Sequence, residues 1–189
     1  MMLIKEVYIL LGSNRGDRLD YLTSALRMIS IQAGLIVRKS AVYESAPWGF
    51  DDSTNFLNQV VEIETKLPPE ELLEQLLTIE SRLGRIRPFN ACGCSIPSGL
   101  DGFSDQNPGS RHSDNLYASR TIDLDILFYG DRLVFTDNLM IPHPRLHERR
   151  FTLVPLNEIA PGLVHPLLKK KISTLLGECR DQAKIIALG

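Results

Sequence analysis

No stretch of this 189-residue chain comes near the ~20 consecutive apolar residues that a membrane-spanning helix needs. The opening "MMLIKEVYILLGSN" is broken by Lys5 and Glu6 and lacks a small-residue cleavage site, so no signal peptide and no export are expected. Cysteine is scarce: Cys92, Cys94 and Cys179 make an odd count with no framework spacing, which points to a reducing, cytoplasmic compartment. Cys92, Cys94 and His112 match no common zinc spacing and lack a fourth ligand, so they read as free thiols and a histidine in a loop. Charge of either sign is lacking in excess. A net charge of -2 gives no global pull toward nucleic acid or an anionic membrane, and any anion must be held by a local arginine cluster. Neither G-x-x-x-x-G-K-S/T nor G-x-G-x-x-G occurs, so a bound nucleotide would not rest on a glycine-rich backbone cradle. No internal repeat is visible.

What is present suits one domain, residues 1–189, with a sizeable core. "VYILLGSN" reads as a short buried strand ending in a turn. Asp17 opens a helix whose apolar face takes Leu19, Leu22, Ala25, Leu26 and Ile29, and Gly34 stops it. A strand is predicted over residues 35–43, a loop over "ESAPWGFDDSTNF", and a strand over residues 57–65. "LPPEELLEQLLTIESRLG" is the clearest helix: proline at its start, Glu70 and Glu71 in the first turn, and Leu72, Leu73, Leu76, Leu77 and Leu83 on one face. Periodicity then vanishes from about residue 85 to 118, a long catalytic-loop insertion expected to be mobile and to act as a lid. In "SRTIDLDILFYG", strict alternation puts Ile122, Leu124, Ile126 and Phe128 on one face and Asp123, Asp125, Leu127 and Tyr129 on the other. One more helix is expected in the last 20 or so residues. The order strand, helix, strand, strand, helix, strand is the split βαβ pattern. It predicts an α+β fold, a ferredoxin-like α/β sandwich of mostly antiparallel sheet with helices packed against it.

Four constellations carry chemistry. Asp123 and Asp125, two apart on a strand, have side-chain bases roughly 6–7 Å apart and repel each other unless a cation intervenes. One or two Mg²⁺ ions with phosphate oxygens fit that arrangement; a solvated sheet face is the alternative. Arginine clusters around them: Arg85 and Arg87 in "GRIRP", Arg120, and Arg145, Arg149 and Arg150 beside His143 and His147 in "IPHPRLHERRF". Arginine is the side chain for bidentate phosphate contacts. Glu80 sits at the edge of a buried helical face and needs either an ion-pair partner or a ligand. Trp48, Phe50, Phe56 and Asn58 combine ring faces with an amide, suiting a flat heterocycle, although Trp48 would serve equally as a core anchor.

Read together, "YILLGSN", "YESAPWG" with "FLNQVVEIET", "LLTIESRLGRIR", "RTIDLDILFYG" and "IPHPRLHERRFTLVPLNEIAP" closely resemble the 6-hydroxymethyl-7,8-dihydropterin pyrophosphokinase family of folate biosynthesis. The resemblance implies transfer of pyrophosphate from ATP to 6-hydroxymethyl-7,8-dihydropterin with two Mg²⁺, by a cytoplasmic monomer with small-molecule substrates and no nucleic-acid or membrane partner. It implies Asp123 and Asp125 as metal ligands and Arg85, Arg87 and Arg120 as catalytic arginines. It assigns Glu80, His143 and Arg149 to ATP. Ser45, Ala46, Pro47, Trp48, Phe56, Asn58 and Phe151 fall to the pterin. Tyr117 stands where the family has Trp, and Arg111 is the nearest match to a further loop arginine. Two rival readings are another Mg²⁺-dependent phosphoryl or nucleotidyl transferase, which would not need the aromatic-plus-Asn pocket, and a non-enzymatic ferredoxin-like binding module, which would not need the acids and Arg120 to converge.

Overall fold

The computed structural model describes residues 3–48, 54–85 and 120–188. The expected loop insertion, with Arg87, Cys92, Cys94, Arg111, His112 and Tyr117, lies outside the described residues, as does Phe50.

The chain runs β1 (Lys5–Ser13), α1 (Arg18–Gln32), β2 (Leu35–Lys39), β3 (Val42–Ser45), β4 (Phe56–Thr65), α2 (Pro69–Arg82) and β5 (Asp123–Tyr129). A small hairpin follows, β6 (Val134–Phe135) and β7 (Met140–Ile141), then a 3₁₀ turn at Leu146–Glu148, α3 (Arg150–Ile159), α4 (Ile172–Glu178) and β8 (Ile185–Leu188). The main sheet has the order β5-β1-β4-β3-β8, with β2 also on β4. Its pairings are antiparallel. With β2 and β3 sharing one flank of β4, this is the ferredoxin-like order that the split βαβ pattern predicts.

Helices cover both faces. Leu22, Ala25 and Ile29 of α1 and Leu72, Leu76 and Ile79 of α2 pack on Val7, Ile9, Leu11, Leu124 and Ile126. Leu153 and Leu156 of α3 and Ile172 and Leu175 of α4 pack on Tyr8, Leu10, Val60 and Phe128. A central strand covered on both sides has no polar face, which is why "VYILLGS" is a continuous apolar run. Asp17 caps α1, its carboxylate accepting from the Asp20 amide at 3.0 Å. Leu19, expected on the buried face, is 54% exposed, and the buried stripe of α1 starts one turn later.

Three further differences are informative. The strand predicted over 35–43 is two strands, because at Ser40 a side chain enters the ladder: the Ser40 amide donates to the Val60 carbonyl at 2.9 Å and the Val60 amide donates to Ser40 Oγ at 3.1 Å. On β5 the alternation breaks. Register with β1 shifts opposite Tyr8 and Ile9, so Phe128 joins Leu127 under α3 and α4 while Tyr129 turns to the other core. Phe128 there meets Tyr8 and His165 edge-on, with centroids 6.3 and 5.4 Å away. The C-terminal segment holds not only a helix, α4, but also β8, which extends the sheet on β3 from Val42↔Leu188 to Ser45↔Ile185.

Candidate active site

The ends of β1 and β3 and the starts of β4 and β5 meet at one end of the sheet and open a cleft of about 250 Å³. Gly12 is its floor, facing Asn58 on one side and Asp123 on the other. A Cβ at Gly12 would sit 3.4 Å from Asn58 Oδ1 and 3.8 Å from Phe56 Cδ1, so any side chain there would fill the space between the walls.

One wall is aromatic and amide. Phe56 and Asn58 lie two apart on β4 and therefore face the same way; Ser45, Ala46 and Trp48 line it from the end of β3 onward. Asn58 is buried, and its Nδ2 donates to Ser45 Oγ at 2.9 Å, which orients the amide. The opposite wall is ionic. Asp123 and Asp125 both line the cleft from the first turn of the β5 pleat. Arg85 and Arg120 each donate to Asp123, one to each carboxylate oxygen. Burial alone would weaken the Arg85 charge, but Asp123 and Glu80 outweigh that and raise its pKa. The Asp125 pKa is raised too, but there the charged form is disfavoured: burial first, then the neighbouring Asp123 carboxylate, carry it up to about 7.

The third side comes from the chain after β7. The His143 amide donates to the Leu127 carbonyl at 3.0 Å, which seats that segment against β5. His143 Nδ1 accepts from the Arg145 amide at 3.2 Å, so Nε2 is the nitrogen left to carry the proton. Burial and Arg149 together lower its pKa to about 4, and the ring is neutral at ordinary pH. Arg149 and Phe151 flank the start of α3 and also line the cleft. The Arg149 guanidinium lies 5.0 Å from the Trp48 ring centre and 5.7 Å from that of Phe151, bridging the third side to the aromatic wall.

The structure thus brings Ser45, Ala46, Trp48, Phe56, Asn58, Arg85, Arg120, Asp123, Asp125, His143, Arg149 and Phe151 to one cleft. Pro47 is described but is not among the lining residues, and Arg87 lies outside the described residues. Glu80 stands behind the cleft: it is 1% exposed, and its Oε1 accepts from Arg85 Nη1 at 2.6 Å and from the Leu124 amide at 2.8 Å. Sequence reasoning missed Leu10 and Gly12 as lining residues. The signal for Gly12 was there, a glycine placed where a buried strand reaches the turn.

The donor chemistry fits Mg²⁺. Two carboxylates facing one cleft, one of them raised in pKa by burial and then by its neighbour, form an oxygen-only pair that a hard divalent cation would relieve, phosphate and water completing its shell. No cluster of three or more potential metal ligands occurs among the described residues. Paired acids, convergent arginines and a ring-plus-amide wall on an antiparallel α+β sheet suit the class of Mg²⁺-dependent phosphoryl transferases acting on a flat heterocycle.

Comparison with known proteins agrees. The model of the 7,8-dihydro-6-hydroxymethylpterin-pyrophosphokinase (HPPK) family matches residues 8–98 and 105–161. The 2-amino-4-hydroxy-6-hydroxymethyldihydropteridine pyrophosphokinase of Aquifex aeolicus is 36% identical over 167 residues, 88% of this chain and 87% of that protein. Its namesake in Bacillus subtilis is 40% identical over 153 residues, 80% of this chain and 76% of that protein. The folic acid synthesis protein fol1 of Pneumocystis carinii is 38% identical over 94% of this chain, which spans only 20% of that longer protein. Wild-type Plasmodium falciparum HPPK-DHPS superposes with a TM-score of 0.68 at 16% identity, over 93% of this chain and 44% of that one, a likeness of fold. The chain belongs to the HPPK family.

Proposed function

We propose that this chain transfers the β,γ-pyrophosphoryl group of ATP to the hydroxymethyl oxygen of 6-hydroxymethyl-7,8-dihydropterin, a step of folate biosynthesis. The observation that carries the reading is the sharing of one cleft by the Asp123–Asp125 pair and the Phe56–Asn58–Phe151 wall. A general phosphoryl transferase has no use for the second, and a binding module has none for the first.

The pterin ring lies between Phe56 and Phe151, and Asn58 reads its hydrogen-bonding edge. Because Nδ2 of Asn58 is engaged with Ser45, its Oδ1 is the atom presented toward the Gly12 floor. Asp123 and Asp125 would hold the Mg²⁺, two ions in this reading. Bound there, Mg²⁺ supplies neutralising charge and orientation to the triphosphate. Arg85 and Arg120 line the same cleft beside Asp123, both donating to its carboxylate, and place two guanidinium charges where the transferring phosphoryl oxygens would lie. Neutral His143 donates from Nε2 to a phosphate oxygen, and Arg149 adds a guanidinium from the third side. The hydroxymethyl oxygen attacks the β-phosphorus in line. The bond from that phosphorus to the α,β-bridging oxygen breaks, its electrons go to AMP, and the hydroxyl proton passes to solvent. The cleft offers positioning and charge in place of a strong base, as phosphoryl transfer allows.

Arg87 belongs to the same reading on the strength of its motif, as do a monomeric state and a cytoplasmic setting. The test is AMP release from ATP, Mg²⁺ and 6-hydroxymethyl-7,8-dihydropterin. Stoichiometric AMP and pterin diphosphate are expected; ADP, or no pterin-dependent turnover, would overturn the assignment.

A further inference from the structure

The turn between β1 and α1 has no part in the chemistry above, yet it grips both walls of the cleft. Asn14 is 1% exposed. Its Oδ1 accepts from the Arg120 amide at 2.8 Å, and its own amide donates to the Arg120 carbonyl at 3.2 Å. Both backbone polar groups of Arg120 are therefore held by one residue, three positions before β5 begins at Asp123. A backbone gripped at both groups cannot rotate freely, so the direction in which the Arg120 side chain leaves it, toward Asp123, is set from β1.

Four residues on, Arg18 Nη1 donates to Glu44 Oε1 at 2.9 Å and to the Asn55 carbonyl at 2.8 Å. Glu44 and Asn55 adjoin Ser45 and Phe56, the outermost register pair of β3 on β4. One guanidinium thus bridges the root of the segment from which the aromatic wall rises. Gly16 makes the reversal that lets the two grips sit so close in sequence: its φ is +67°, and a Cβ there would come 3.1 Å from the Tyr21 ring.

We infer that the β1–α1 turn is a positioning device for both substrates, Asn14 aiming Arg120 at the phosphates and Arg18 setting the spacing of the pterin wall. The inference rests on the pyrophosphokinase reading. It makes the two residues separable by kinetics. Arg120 acts on charge that develops in transfer, so Asn14→Ala lowers kcat on the order of tenfold or more with the KM for pterin nearly unchanged. Asn14→Asp keeps an acceptor for the Arg120 amide and recovers part of the loss. Arg18→Gln raises the KM for pterin several-fold while kcat holds, and Arg18→Lys, which keeps the charge and three donors, restores it.

Two double-variant cycles complete the test. Asn14→Ala adds nothing in an Arg120→Ala background, and Glu44→Gln adds little to Arg18→Gln. If Asn14→Ala fails to fold, Asn14→Asp and the half-buried Arg18 arm decide. Turnover by the unaltered chain, with kcat and KM moving together in both variants in proportion to lost thermal stability, would overturn this inference alone and leave ordinary structural residues. No AMP release by the unaltered chain would overturn the pyrophosphokinase reading and this inference with it.

Discussion

Truncate Glu80 to alanine, and two groups lose a partner at once. Its carboxylate is 1% exposed and receives the Arg85 guanidinium at 2.6 Å and the Leu124 amide at 2.8 Å. Among the described residues Leu124 lies on the edge strand of the sheet, β5, with no further strand there for its amide to turn to. A hydrogen bond to a charged group contributes about 1.5–3 kcal/mol, and a stranded buried amide costs about 1–3 kcal/mol. The ~3–5 kcal/mol that attends a fully broken buried ion pair does not apply, because Arg85 keeps Asp123. A loss of about 3 kcal/mol follows, or roughly 6–12 °C in Tm for a domain of this size. Glu80→Gln leaves an acceptor for Leu124 and removes only the charge, so it costs about 1–2 kcal/mol. Urea unfolding of the three proteins gives these differences directly, provided m is unchanged. Titration with a non-hydrolysable ATP analogue separates the two roles open to this carboxylate. As the brace behind Arg85 it moves stability first; as a direct nucleotide contact it would move analogue affinity and spare stability. An alanine variant within about 0.5 kcal/mol of the parent would refute the bracing argument.

Asp123→Ala or Asp125→Ala should give a folded protein by circular dichroism with transfer reduced at least a hundredfold, and near-normal turnover at low Mg²⁺ would remove the metal assignment. Asn58→Ala should weaken pterin binding tenfold or more while ATP-analogue binding holds, since a site built to pair polar atoms loses most when the pair is lost; calorimetry on each ligand separately tells whether the two affinities move apart. Acid stability should report His143. Its folded pKa of about 4 lies below the unfolded 6.5, so the unfolded chain binds the proton first. Stability is therefore full above about pH 6.5 and declines toward pH 4, by at most about 3 kcal/mol. His165, lowered by burial, acts in the same direction. His143→Gln should flatten part of that slope in unfolding curves taken between pH 4 and 7, and an unchanged slope would contradict the burial argument.

Much of the site was legible because it is written in local order. Two acids at i and i+2 on β5, Phe56 and Asn58 at the same spacing on β4, and proline with two acids at the start of α2 need only the strand or helix period to be read. The double-sided burial of β1 was visible as an unbroken apolar run. Other features depend on partners distant in the chain. The strand predicted over 35–43 divides because Ser40 meets Val60, and Phe128 changes face because β5 slips one residue against β1. β8 exists through its pairing with β3, although "IIAL" is short and half open to solvent. For Glu80 the sequence says only that a carboxylate at the edge of a helical face needs a partner of some kind; the tertiary structure set Arg85 and the Leu124 amide within reach of it. By itself the sequence determined which residue types occur at which local spacing, and hence the chemistry available. Tertiary structure decided which of those groups face one another, because register and pairing arise from contacts between residues far apart in the chain, and no local period records them.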